Sequence, residues 1–164
     1  SKTLSKVHEL RLQLPPGYEQ IPEIGGGDKE KGILAFARLT RDSQPRAVLM
    51  FDAHPSEPDS LADILFTQIA RQDLVKASAL EGLTLRESHR TDRMKIAGHK
   101  AFMLSQTWND QGGQNGLVEY YGLWCGKTKR YFTLAVRSGP LKGDKTDKET
   151  LRDLRSVFGG FKCH

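Results

Sequence analysis

Two cysteines and five histidines are the residues of this 164-residue chain best equipped for chemistry. Thiolate and imidazole are the usual ligands of zinc, and a zinc site needs three or four of them, normally with a close pair such as C-x2-C or H-x3-H. Here His8, His54, His89 and His99 are scattered, and Cys163-His164 is a lone adjacent pair. The spacing therefore predicts no metal and no cofactor. A disulfide between Cys125 and Cys163 would close a loop of about 38 residues and contribute roughly 3–4 kcal/mol in the chain-entropy account. The alternative is an inert, buried Cys125 beside a mobile Cys163.

Nucleophilic catalysis requires an exposed side chain on a sharp turn, and no G-x-S-x-G occurs. Ser105 falls mid-strand and Ser138-Gly139-Pro140 reads as a strand exit. Two arrangements keep a small hydrolase or thiol enzyme as an alternative. One is Cys125-Gly126 beside Lys127, whose charge would lower a thiol pKa. The other is Asp52 with His54, which point the same way at a strand end. Gly25-Gly26-Gly27-Asp28-Lys29 lacks the spacing of a phosphate loop.

The aromatic residues offer a binding surface instead. Trp108, Tyr120, Trp124 and Tyr131 fall in neighbouring predicted strands, with Tyr120 and Trp124 on one face. Left open by the helix above, that face would be a groove for a ligand or a protein partner; covered, it is core. Trp108 borders the Gly-rich 111–116 loop and is expected to be the most exposed of the four. The predicted binding set is Trp108, Asn109, Gln111, Gln114, Asn115, Tyr120 and Trp124. Arg86, Arg90 and Arg93 make a second candidate, a basic edge, for which a solvated face is the plain alternative.

The elements that position these residues follow from periodicity. Leu10, Leu12 and Leu14 alternate within residues 8–14 as a half-buried strand, stopped by Pro15-Pro16-Gly17. After a polar loop over 25–31, Ile33 to Leu39 is the second strand. Arg41 to Pro45 is a turn, and Ala47 to Phe51 is a short apolar strand. Ser60 caps a helix over 61–76, with Asp63 in its first turn, Leu61, Ile64, Leu65, Ile69 and Leu74 on one side, and Gly82 beyond its end. Strands return over 84–94, 101–108, 117–125 and 130–137, joined by the 97–100 turn, the 111–116 loop and the 126–129 turn. Thr146 or Asp147 starts a last helix carrying Leu151, Leu154, Val157 and Phe158, closed by Gly159-Gly160. The order β-β-β-α-β-β-β-β-α with short turns predicts an antiparallel sheet. Several strands are apolar on both faces, so both sides of the sheet need cover.

Composition fits one globular domain spanning residues 1–164: 37% of residues are hydrophobic and 27% charged. The longest apolar runs fall far short of the roughly 18 residues that cross a bilayer. The net charge of +5 is unevenly placed: residues 51–83 hold six acids against two bases, whereas 127–155 hold nine bases against four acids. Such a dipole steers charged partners. The bases never run beyond two in a row and no aromatic-basic RNA motif appears, so no nucleic-acid partner is expected. The first residue is Ser1, with no charged-then-apolar leader, which leaves room for a removed signal or a lost lipid anchor.

Leu12-Gln13-Leu14-Pro15-Pro16-Gly17-Tyr18 resembles the strand-Pro-Gly-aromatic opening of PsbP-like domains. Lys95 to Phe102 is similar to their Gly-containing turn into the central hairpin, and Phe158-Gly159-Gly160-Phe161 to their closing helix end. The resemblance implies an α+β fold in which an antiparallel sheet of six or seven strands is sandwiched between helices. It implies mostly non-enzymatic roles: a photosystem accessory protein of the thylakoid lumen, DcrB-type envelope lipoproteins, and a small Ran-binding nuclear import factor. The expected function is an accessory or binding protein outside the cytoplasm (periplasm, cell envelope or thylakoid lumen), with a cytoplasmic Ran-type partner-binding factor as the alternative. Fold alone transfers no functional residue.

Overall fold

The computed structural model describes residues 3–5, 10–24, 32–38, 46–71, 84–109, 112–113, 115–138, 145–157 and 160–164. The strands are β1 (Thr3–Ser5), β2 (Leu10–Arg11), β3 (Tyr18–Ile24), β4 (Gly32–Arg38), β5 (Ala47–Ala53), β6 (Thr84–Ile96), β7 (His99–Asn109), β8 (Asn115–Cys125) and β9 (Arg130–Ser138). The helices are α1 (Leu61–Arg71) and α2 (Lys145–Val157). Among the described residues, β3 to β9 form one seven-stranded antiparallel sheet in the order β3-β4-β5-β9-β8-β7-β6. The connection through α1 carries the chain from β5, next to the central strand, to the far edge at β6. A meander of three hairpins then returns it, so that β9 closes beside β5.

In β9, eight of nine residues are buried, leaving only Arg137 half-exposed. A strand buried on both faces has to be roofed on both, and α1 and α2 do this. Leu65 of α1 packs with Phe102, Leu104, Trp108, Val118, Tyr120 and Ala135 on one face. Leu151 and Val157 of α2 pack on the other face with Leu49, Phe51, Leu123, Phe132, Leu134 and Val136.

Polar contacts fix each helix over the sheet. Ser60 Oγ accepts the Asp63 N–H at 3.2 Å and caps α1. The buried Tyr131 hydroxyl donates to the Leu61 carbonyl at 2.9 Å, and buried Thr133 hydrogen-bonds buried Gln68. Gly122 makes the Tyr131 contact possible, because a Cβ there would overlap the hydroxyl. On the other face Glu119 is 2% exposed. Arg155 of α2 donates from Nε to both of its carboxylate oxygens at 3.1 Å and from Nη2 to one of them, and Tyr121 donates to the other. Burial and the Glu119 hydrogen bond push the Tyr121 pKa up, and the same carboxylate raises that of Arg155.

Three expectations change. Of the expected strand over 8–14, the described residues 10–14 do not join the main sheet: Leu10–Arg11 pairs with β1 in a separate two-stranded sheet and Arg11 bridges Lys162. Leu10 and Leu12 are nonetheless buried, in the α2-side core. The alternation marked a lid over that core, not a rung of the ladder. Second, β3 is a strand that the pattern does not announce, because Pro22 interrupts it and its apolar residues are few. Proline is tolerated since β3 is the edge strand, and its register shifts between Ile21 and Ile24, across the proline. Third, α2 starts at Lys145, which puts Thr146 and Asp147 in its first turn rather than ahead of it. Residues 72–83, 25–31 and 39–45, with the helix end, Gly82, the polar loop and the turn expected there, lie outside the described residues, as do Phe158 and Gly159. The 97–100 turn narrows to Ala97-Gly98, both at positive φ (51° and 81°), between paired Ile96 and His99. That is the backbone of a two-residue hairpin turn.

Two outcomes test this account. Gly122→Ala should destabilise the fold by about 2 kcal/mol in urea unfolding, through a displaced Tyr131 ring and a lost hydrogen bond. The penalty should shrink in a Tyr131→Phe background; strictly additive penalties would show that the two residues do not share that space. Arg155→Ala should cost about 2 kcal/mol by stranding a buried carboxylate, and Glu119→Gln in that background should recover part of it. A loss under about 0.5 kcal/mol would place the pair among screened surface bridges.

Candidate functional site

The β5–α1 loop, the β6–β7 turn and the β8–β9 turn meet at one end of the sheet and enclose an open cavity of about 370 Å³. Its apolar wall is Trp124 and Leu61, and its charged rim is Glu57, Lys100 and Lys127, with His99 at the inner side. Trp124 is half-buried and held firmly. Its indole N–H donates to the His54 carbonyl at 2.7 Å, and the Lys129 ammonium lies 5.2 Å from the ring centroid. The His54 N–H in turn donates to the Lys129 carbonyl at 2.8 Å, tying the loop to the turn. An amphipathic ring in a fixed pose beside mixed charges suits recognition of a partner group at low entropic cost.

Behind His99 the two cysteines meet. Cys125 ends β8 and Cys163 lies in the 160–164 segment; the sulfurs are bonded and the Cα atoms are 6.5 Å apart. His99 Nε2 lies 3.3 Å from Cys163 Sγ. His164 Nδ1 lies 3.2 Å from Cys163 Sγ and 3.7 Å from Cys125 Sγ. Burial, with the His164 charge second, holds the His99 pKa below the usual histidine value.

Residues 160–164 reach this position through several contacts. Arg11 and Lys162 exchange two backbone hydrogen bonds at 3.2 and 2.9 Å. Phe161 packs edge-on against Phe132 with ring centroids 5.2 Å apart. The buried Arg130 guanidinium donates to the Cys163 carbonyl at 3.3 Å while lying over the Phe51 and Phe132 rings.

The sequence-predicted residues scatter. Trp108, expected to be exposed, is only 4% exposed. Gly116 has no side chain, and a Cβ there would overlap the indole, so the ring sinks against the neighbouring strand with Arg137 5.1 Å from its centroid. Tyr120 and Tyr131 are buried too, and burial pushes the Tyr120 pKa up to about 12. Of the four aromatics proposed as a shelf, Trp124 alone lines the cavity. Asn109 and Asn115 pair at the opposite end of β7 and β8, while Gln111 and Gln114 lie outside the described residues. Arg86, Arg90 and Arg93 are all exposed on the edge strand β6. They do not share a face: Arg86 pairs with Thr107, Arg90 pairs with Leu104, and the intervening bulge reverses the alternation. Arg90 lies over the Phe66 ring at 5.2 Å.

The Cys125 arrangement holds no free thiol, and in the Asp52–His54 arrangement one imidazole nitrogen is engaged by backbone. Cys125 is fully buried and bonded, and His54 Nδ1 is 2.6 Å from the Ser56 carbonyl. Sequence spacing missed His99, His164 and Leu61 as site residues. One signal was present: β7 and β8 pair Ala101 with Leu123, so two residues further out His99 and Cys125 extend the same face. Reading it required the hairpin register.

No family model and no curated protein matches this sequence. Solved structures do match in fold. The solution structure of cyanobacterial PsbP (CyanoP) from Synechocystis sp. PCC 6803 aligns at a TM-score of 0.63 and 10% identity, over 99% of this chain and 91% of that one. A mutant of the protein Mog1 aligns at 0.58 and 10% identity, over 99% and 94%. The Saccharomyces cerevisiae Ran-binding protein Mog1p aligns at 0.53 and 9% identity, over 94% and 89%. With an antiparallel sheet between two helices and these structural neighbours, the chain has the PsbP-like fold.

Proposed function

We propose that this chain is a non-enzymatic accessory or binding protein that holds a protein partner or small ligand at the Trp124 cleft. The carrying observation is the half-exposed indole fixed by the His54 carbonyl, beside Leu61 and ringed by Glu57, Lys100 and Lys127. Among the described residues, the two cysteines near the cleft are bonded and buried, which fits a binding role. The structural neighbour described as Ran-binding supports a role in protein contact. The same disulfide supports a working place outside the cytoplasm, where such bonds persist.

A photo-crosslinking residue placed at Lys127 in the source organism should give a discrete adduct, with an equivalent probe at Arg86 as the control. Trp124→Ala should lower the yield or affinity about tenfold or more, the behaviour of an aromatic anchor, with the fold unchanged by circular dichroism. Equal adducts from both positions, or an adduct indifferent to Trp124→Ala, would remove the cleft from the reading. An adduct that vanishes at high salt would point to a mainly electrostatic partner, as the Ran-type alternative requires. Protein isolated without reductant should expose no thiol on denaturation; two titratable thiols would overturn the compartment.

A further inference from the structure

We infer that His99, Cys125, Cys163 and His164 form a second kind of site, a Cys2His2 centre that takes a zinc-class divalent cation once the Cys125–Cys163 bond is reduced. The inference is independent of the Trp124 cleft and does not rest on what the cleft binds.

The four residues offer one ligand atom each, and these atoms all lie within 4.8 Å of one another. In a tetrahedral site with metal–sulfur distances near 2.3 Å and metal–nitrogen near 2.0 Å, ligand atoms sit roughly 3.3–3.8 Å apart. Three of the four sulfur–nitrogen separations, 3.3, 3.2 and 3.7 Å, are already close to that spacing, and reduction lets the two sulfurs part to reach it. A disulfide needs only its two sulfurs. It does not account for two imidazoles aimed at them from different parts of the chain, with rings edge-on and 6.0 Å between centroids. Two thiolates and two imidazoles in a tetrahedron favour zinc over harder or square-planar ions.

The surroundings meet the other needs of such a site. Two ligands sit on adjacent strands of the rigid sheet, His99 at the start of β7 and Cys125 at the end of β8. The other two ride on the docked segment, where Arg130 holds the Cys163 carbonyl and supplies outer support. His164 is exposed and His99 half-buried, so the imidazole side of the group meets solvent. Bond and metal exclude each other. An external dithiol reduces the disulfide, delivering two electrons and two protons to give two thiols while it becomes a disulfide itself. The cation then displaces the two thiol protons and binds two thiolates, leaving no net charge on the centre. The chain thus exchanges one cross-link between the sheet and residues 160–164 for another.

The test uses the whole chain, reduced and stripped of metal, titrated with Co2+ as a coloured substitute for zinc. Reduced protein is expected to take up one Co2+ per chain, with the intense visible bands of tetrahedral thiolate coordination. Zn2+ should displace the cobalt, and the oxidised protein should show no bands. His99→Gln and His164→Gln, at half-buried and exposed positions where folding is expected to survive, should each weaken Co2+ binding by about tenfold or more. Metal-loaded wild-type protein should also resist diamide re-forming the disulfide, and the two variants should not. Absence of tetrahedral bands in the reduced protein would overturn the inference. So would histidine variants that bind as tightly as wild type, because the thiols would then act without the imidazoles.

Discussion

The burial of β9 on both faces is the constraint on which the molecule depends. Tyr131, Thr133 and Ala135 look toward α1, and Phe132, Leu134 and Val136 toward α2. Every second residue of a strand points to the opposite face, so no single helix can dry both. The architecture follows: a sheet with one amphipathic helix on each side and a meander that puts the most apolar strand in the middle. The aligned CyanoP and Mog1 structures cover nearly the whole chain at about a tenth of identical residues. That agrees with a fold set by alternating burial and not by particular side chains.

Several polar groups of this interior are paired across layers, and each pairing orients a neighbouring piece. Tyr131 sets where α1 begins, Thr133 and Gln68 fix its middle, and Glu119 fixes α2 through Arg155. Unpaired, any of these groups would oppose folding; paired, they choose one helix placement among many that hydrophobic contact alone would allow. The tethering of α1 at Leu61 matters for the site, because Leu61 is both an acceptor for Tyr131 and a wall of the Trp124 cleft. The cleft is therefore shaped from inside the core.

Alternation and helical spacing made much of this legible. The meander from Thr84 to Ser138 and the capped helix at Ser60 could be picked out in the sequence, whereas a Cys125–Cys163 bond is one of two readings that the spacing leaves open. What escaped has local physical causes. Residues 8–14 alternate as a strand would, but backbone pairing depends on a neighbour, and the neighbour is β1 together with Lys162. In β3 a proline masks a strand that only an edge could hold. Trp108 looked exposed because its loop is glycine-rich, whereas one of those glycines, Gly116, opens the space into which the indole sinks. The scattered histidines hid a cluster since its members are joined by register and docking, neither of which leaves a spacing in the chain.

The 160–164 segment shows how such non-local placement is stabilised in layers. Phe161 contributes burial, Lys162 a backbone bridge, Arg130 a hydrogen bond on a buried carbonyl, and Cys163 a covalent link. The first three do not depend on oxidation state, so they favour the same placement of the segment whether or not the sulfur–sulfur bond is closed. The proposed metal site draws on them to keep Cys163 and His164 near Cys125 and His99. That support distinguishes a pair of sulfurs able to change bonding from a clasp whose loss would simply release the chain. His99, a neighbour of Trp124's cavity in the chain trace, turns its ring to these sulfurs on the other face of the sheet, so the two places are adjacent without sharing a ligand.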